Sequence, residues 1–394
     1  MAITVNSSPD THRPAYNQML FNISSNNTAQ PNFFFIADVY VKVSGVDTLA
    51  ARLLYPKQLG ITSITIDISG VIKNYLSYQV FIGSSVTPDN LGQLDYYVQF
   101  GEAYDVSNVL TFYPNLTRNP TGSSYKYGYN LVFNFEDMLN GIFPNVMQSY
   151  RADNFGILTY ETETQQVEQG DKILWSYFDP SGIVRKITIL KGEEYSEVIN
   201  PTSGKFKYNI ELHILLTALF PAVNLYETGD YTIYLKDQFE NILHTKLLEV
   251  KTPCSKYETF RLHWFNTLGG WDSYNFNKVN SQSVSIDRKQ YKKVMPMPYV
   301  IKDRLVTTYN TMVTDNITIN SDWVSDETAA WFENLFTSPV VFLERQDPTE
   351  LNPVIVAINV VETSYEKKKF SNGRTLHNVT LTFNYSYDRY TQSL

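Results

Sequence analysis

A mainly β, multi-domain chain assembled from β-sandwich modules, with a few short helices, is the fold class the sequence predicts. Three observations predict it. Alternating apolar and polar residues recur in short runs, as in Ile61, Ile64, Ile66 and Ile68 set among Thr62, Ser63, Thr65 and Asp67. Tyr occurs 29 times while charged residues make up only 18%, below the roughly 25% usual for soluble domains, so strand-favouring residues build much of the surface. At 394 residues the chain also exceeds what one hydrophobic core usually holds.

Taken in order, residues 1–30 read as an N-terminal arm. Ser7-Ser8-Pro9-Asp10 and Ser24-Ser25-Asn26-Asn27-Thr28 are turn formers around one short apolar piece, Met19-Leu20-Phe21. Residues 31–160 read as a β-rich domain with one short helix. Phe33 to Val43 alternates as a strand, and Asp67 or Ser69 is placed to cap a helix through Val71, Ile72, Tyr75 and Leu76. Further strands fit Tyr78–Ile82, Tyr96–Phe100 and Tyr129–Phe135, before the polar stretch Glu161-Thr162-Glu163-Thr164-Gln165-Gln166.

Residues 161–252 read as an immunoglobulin-like β-sandwich, with strands at Ile173–Phe178, Val184–Leu190, Tyr231–Leu235 and Ile242–Val250 and a helix near Glu211–Phe220. Asp179-Pro180-Ser181-Gly182 is a turn, since Pro fixes φ and Gly permits positive φ. Glu227-Thr228-Gly229-Asp230-Tyr231 has the form of the corner in which a Tyr hydroxyl bonds back to the chain before a late strand. Residues 253–394 read as a C-terminal β-rich domain with one helix, capped by Ser325 and carrying Ala329, Phe332, Leu335 and Phe336 on one face. Strands follow at Val340–Glu344, Val354–Thr363 and Asn378–Tyr387, the last two joined through the hairpin dipeptide Asn372-Gly373.

Charge and motif content narrow the function. A net charge of −8 argues against a surface for the phosphate backbone; the Lys367–Lys369 run and the basic pairs Arg288–Lys289 and Lys292–Lys293 read as solvated flanks, and no nucleic-acid sequence recognition is expected. One cysteine, Cys254, makes neither an internal disulfide nor a thiolate metal cage. The start has no basic n-region, and the longest apolar stretch, Ile214 to Val223, is too short to cross a bilayer. No signal peptide and no membrane insertion are therefore expected. The five His include no metal-binding helical pair, and no nucleophile elbow, phosphate loop, dinucleotide fingerprint or calcium loop occurs. Glu193-Glu194 and Asp179 read as surface carboxylates on loops rather than a hydrolytic pair. No catalytic residue, cofactor or metal is expected.

The densest aromatic segment is Trp264-Phe265-Asn266-Thr267-Leu268-Gly269-Gly270-Trp271-Asp272-Ser273-Tyr274-Asn275-Phe276. Its plain reading is strand, Gly-Gly turn and strand, with the aromatics in a domain core. Its sharper reading makes Trp264, Phe265, Trp271, Tyr274 and Phe276 candidate interface residues, since aromatics dominate binding energy at protein interfaces. A sugar platform on the same rings is the third.

This segment, with His263 before it, resembles a Trp-φ-Asn-x-φ-Gly-Gly-φ-Asp-x-φ-x-Phe signature in tail structural proteins of Bacteroidetes-infecting bacteriophages, crAss-like phages among them. Ile66-Asp67-Ile68-Ser69 leading into the Val71–Leu76 helix is similar to the same group. So is the closing pattern of Trp323, Ser325, the Trp331–Phe336 helix, Ser338-Pro339 and Thr382-Phe383-Asn384-Tyr385-Ser386-Tyr387. The resemblance spans most of the chain and is weakest over 167–252. It implies a virion structural protein, a tail ring, collar or adaptor subunit. Such a subunit is made in the host bacterial cytoplasm and assembles as a cyclic homo-oligomer with other tail proteins. A receptor- or glycan-binding tail module is the alternative.

Overall fold

In the computed structural model, the described residues are 3–132, 156–159, 164–179, 182–199, 206–222, 225–253, 256–294, 297–345, 354–369, 375–387 and 389. They are mostly strand, arranged as three sheet-built lobes with separate apolar cores. The mainly β, multi-sheet class expected from the sequence is what the chain adopts.

The first lobe faces a three-stranded sheet (Ile3–Ser7, Leu20–Ser25, Ser63–Asp67) against a six-stranded one centred on Phe34–Val43 and Gln93–Val106. Phe21, Ile23 and Ile66 from the first sheet meet Phe35, Val39, Val98 and Phe100 from the second, all buried. The expected N-terminal arm is thus corrected. Leu20–Ser25 is the middle strand of its sheet, because Phe21, Ile23 and Ser25 alternate inward and their neighbours outward. Turn formers on either side of a short apolar piece mark here the ends of a strand. Asp67 does work at the short helix Ser69–Ile72: its carboxylate accepts from the Ser69 N–H at 2.9 Å and from the Met19 N–H at 3.1 Å.

A true sandwich forms the second lobe. One sheet runs Gly156–Ile157, Leu174–Phe178, Lys207–Glu211, Val86–Pro88; the other runs Gln165–Glu168, Ile242–Lys251, Gly229–Lys236, Lys186–Lys191, Glu194–Ile199. Between them lie Trp175, Tyr177 and Ile210 from the first sheet and Ile187, Tyr231, Ile233 and Leu248 from the second. Two of these strands come from before residue 160, so the sandwich is not confined to 161–252. Val86–Pro88 pairs with Lys207–Glu211 because that edge otherwise leaves backbone donors unsatisfied. The tyrosine corner is present: the Tyr231 hydroxyl donates to the Glu227 carbonyl at 2.7 Å. The helix predicted around Glu211–Phe220 covers Leu212–Leu219.

In the third lobe a seven-stranded sheet runs Trp271–Phe276, Phe260–Phe265, Val341–Arg345, Val354–Lys369, Thr375–Tyr385, Val306–Val324, Ser281–Lys292. Helix Asp326–Thr337 lies on it and buries Trp331, Phe332 and Leu335, with the Ser325 hydroxyl accepting from the Thr328 N–H at 3.2 Å. Asn372-Gly373 and Cys254 lie outside the described residues; Lys369 and Thr375, on either side of the former, are paired.

One further expectation is corrected. Tyr78–Ile82 is not a strand but an irregular strap, since its polar backbone groups are met by side chains of other lobes. The ribbon of Ser281–Lys292 paired with Val306–Val324 lies outside the strands expected from the sequence. Every residue of Ser281–Lys292 is exposed.

Candidate functional site

The aromatic segment 264–276 sits where the three lobes meet. Phe260–Phe265 and Trp271–Phe276 pair antiparallel from Phe260↔Phe276 to Phe265↔Trp271, with the Gly-Gly turn between them. Asn266 organises that turn. Its side-chain oxygen accepts from the Gly270 N–H, and its amide donates to the Leu158 carbonyl and to Asp272, each at 2.9 Å. Gly269 has φ +77°, and a Cβ on Gly270 would lie 2.0 Å from the Leu158 carbonyl oxygen. Only glycine lets the backbones approach so closely. Leu268 then enters a small apolar cluster with Tyr129, Leu131, Leu158 and Phe178, drawn from all three lobes. The Val132 N–H donates to the Thr267 carbonyl at 2.9 Å.

The candidate interface residues are placed as follows. Trp264 is fully buried, 4.9 Å from the Trp331 ring, and Phe276 is buried against Phe332. Trp271 is 3% exposed; its indole N–H donates to the Gln79 carbonyl at 2.8 Å and its ring meets Tyr78, Phe265 and Phe342. Phe265 and Tyr274 are half-buried, the latter edge-on to Phe332 at 4.8 Å. An exposed intersubunit face or sugar platform on Trp264, Trp271 and Phe276 is therefore corrected: the strap 78–82 covers Trp271, and the helix covers Trp264 and Phe276, while Phe265 and Tyr274 keep part of their surface. The plain reading, strand, turn and strand in a core, is the geometry found.

Beside the turn, buried charge ties the lobes further. Lys207 and Asp89 form a fully buried ion pair at 2.8 Å, and the ammonium also donates to the Asn130 side-chain oxygen at 2.8 Å. Asp272 accepts from Asn266, from the Trp331 indole N–H at 2.9 Å and from the Thr159 hydroxyl; burial pushes its carboxyl up, and these bonds oppose the shift.

A second cluster, which sequence reasoning missed, centres on buried Arg261. Its Nε donates to the Lys172 carbonyl at 3.0 Å, Nη1 to Asn275 at 2.6 Å and Nη2 to Ser273 at 2.7 Å. Asp171 and Glu344 each lie 3.4 Å from it. Glu344 also accepts from the Lys172 N–H at 2.9 Å and meets His263 at 2.9 Å. Burial pushes Glu344 up to about 7 despite Arg261. Burial first, then Arg261, holds His263 well below its usual value. No local spacing signals this cluster, because Asp171 and Lys172 come from the second lobe and Glu344 lies more than 80 residues from Arg261 and His263.

Arg261 and Glu344 form part of the wall of an open cleft of about 590 Å³ that also has Tyr257, Asp315, Arg345 and Tyr385 on its sides. A histidine–carboxylate pair with a raised carboxyl has the composition of an acid–base site. Here each nitrogen of Arg261 ends on a protein atom and His263 is 1% exposed, so the cluster acts as a brace between lobes. Asp179 is corrected from a surface carboxylate: it is buried and accepts from the Ile183 and Val184 N–H groups at 2.9 Å each, holding its own turn. Among the described residues no three His, Cys, Asp or Glu side chains converge as a metal site, and no helix is long and apolar enough to cross a membrane.

No protein-family model and no curated protein matches the chain. A solved complex of Dpr2 Ig1-Ig2 with DIP-Theta Ig1-Ig3 is similar at 8% identity, covering 98% of this chain and 91% of that chain, with a TM-score of 0.18. A likeness at that TM-score carries no argument, and the fold class rests on the strand pairings. By those pairings the chain is a mainly β protein with a β-sandwich at its centre and its lobes braced by buried polar groups.

Proposed function

We propose that this chain is a structural subunit of a bacteriophage tail, a ring, collar or adaptor protein, and that it performs no catalysis. In this reading it resides in the virion and closes into a cyclic homo-oligomer through heterologous, head-to-tail contacts, with other tail proteins above and below it. One observation carries the reading. The segment on which the resemblance to phage tail proteins rests is spent on bracing three lobes into one body, with its polar side chains turned onto protein. Such a segment suits a part that repeats in an assembly and transmits shape.

Electron microscopy and light scattering of the purified chain test it. Closed rings, or a fixed position in a virion, are the expected result. A strictly monomeric protein at high concentration, with no virion association, rejects it.

A second reading, a glycan-binding tail module, rests on a different place. The 590 Å³ cleft is polar and flanked by Tyr257 and Tyr385, which suits a sugar better than the buried Trp271 does. Saturable binding on a glycan array, lost on Tyr257→Ala with the fold intact, favours that reading.

A further inference from the structure

The ribbon Ser281–Lys292 and Val306–Val324 stands off the third lobe as the edge of its sheet. Among the described residues Ser281–Lys292 pairs on one side only, and all twelve of its residues are exposed. A two-stranded ribbon in water is marginal by itself, and an open edge of this length invites a partner. Exposed apolar residues run along its whole length. Val284 and Ile286 are 56% and 51% exposed on the stalk, and Val294, Val300 and Ile301 are 61% or more exposed at the tip. A surface needing only its tip covered, as in dipping into a lipid layer, leaves Val284 and Ile286 unexplained. A protein partner covers both.

Charge identifies which protein. Residues 281–314 carry six basic residues (Arg288, Lys289, Lys292, Lys293, Lys302, Arg304) and two acids (Asp287, Asp303), a net of +4. The whole chain is −8, so the remainder carries −12. Two such ribbons repel each other, which disfavours an edge-to-edge, two-fold pairing. A ribbon and the acidic body of another copy attract. Basic ribbon onto acidic body is a heterologous contact, which propagates around a circle. We propose that the ribbon 281–314 is the arm by which one copy of this chain grips the body of the next; the proposal rests on the ring reading above and names its contact.

The test uses the full chain, wild type against Ile286→Asp/Ile301→Asp and against Arg288→Glu/Lys289→Glu/Lys292→Glu. All five positions are exposed, and far-UV circular dichroism checks that each variant keeps its fold. In sedimentation velocity the wild type assembles. Each variant needs at least tenfold more protein to do so, and raising salt weakens the wild type more than the charge-reversed variant. A photo-crosslinking residue at Ile301 is expected to capture a peptide from a second copy. Assembly of wild type and both variants alike overturns the ribbon's role and leaves the ring reading standing. A wild type that stays monomeric overturns both. Binding of the monomer to phosphatidylglycerol vesicles, lost in the Ile286→Asp/Ile301→Asp variant, assigns the ribbon to a lipid surface instead.

Discussion

The buried pair Lys207–Asp89, whose ammonium also reaches Asn130 of the first lobe, reports on the junction of the first and second lobes. Lys207→Met removes the ammonium and keeps the length of the side chain. It strands a carboxylate that is 1% exposed and leaves the Asn130 oxygen without that donor. Asp89 keeps only the Leu91 and Gly92 N–H groups, at 3.2 and 2.8 Å. Breaking one side of a buried pair costs about 3–5 kcal/mol. Asp89→Asn strands the ammonium instead, at a similar cost. The double variant strands no charge, so its loss falls short of the sum of the two by about 2–3 kcal/mol. Urea unfolding followed by circular dichroism and by tryptophan emission measures all four corners of this cycle. Single losses that add to within about 0.5 kcal/mol in the double variant refute the coupling.

Three further outcomes are expected. Gly270→Ala places a Cβ 2.0 Å from the Leu158 carbonyl and 2.8 Å from its Cβ, where backbone cannot yield cheaply; a loss of about 3 kcal/mol or more in urea is expected, and a neutral variant refutes the close docking. Tyr231→Phe removes the corner hydrogen bond and little else, for a loss of about 1 kcal/mol measured the same way. Glu344→Gln reports on pH. Burial raises this carboxyl from 4.5 to about 7, so in that window the folded chain holds a proton the unfolded chain does not, and the wild type loses stability as pH rises through it. The variant lacks this titration, and its stability relative to wild type climbs by about 3 kcal/mol from pH 4.5 to 7; a flat difference rejects the raised carboxyl.

Local chemistry made much of the fold readable. The Ser325 cap, the Tyr231 corner and the strands at Phe34–Val43 and Leu174–Phe178 depend on residues within a few positions of one another. What was not readable depends on distant partners. Leu20–Ser25 becomes a strand because Ile3–Ser7 and the distant Ser63–Asp67 lie on either side of it, and Tyr78–Ile82 fails to become one because Trp271 and Glu211 take its backbone groups. Trp271 shows the limit at the candidate site. Its size and its Gly-Gly neighbour mark it as important, but only the third dimension decides whether an aromatic faces a partner or its own strap. Arg261 was passed over because nothing within ten residues pairs with it.

The polarity of the junction bears on what the protein is for. Lys207 with Asp89, Arg261 with Glu344, and Asn266 with Asp272 are all buried where lobes meet, and well-packed apolar residues are often as stabilising in such places. An apolar seam tolerates sliding, since its energy depends on area covered and little on direction. A seam of hydrogen bonds such as Asn275 to Asp171 at 2.6 Å, Trp271 to the Gln79 carbonyl at 2.8 Å and Arg261 to the Lys172 carbonyl at 3.0 Å holds only at one mutual orientation of the lobes. For a lone binding domain that restriction brings little. For a subunit that must meet a copy of itself at a constant angle, an error between lobes is repeated at every contact around the ring and prevents closure. Fixed lobe geometry is therefore what the proposed assembly most requires of the chain, and Asn266, Trp271 and Asn275 of the aromatic segment 264–276 help to enforce it.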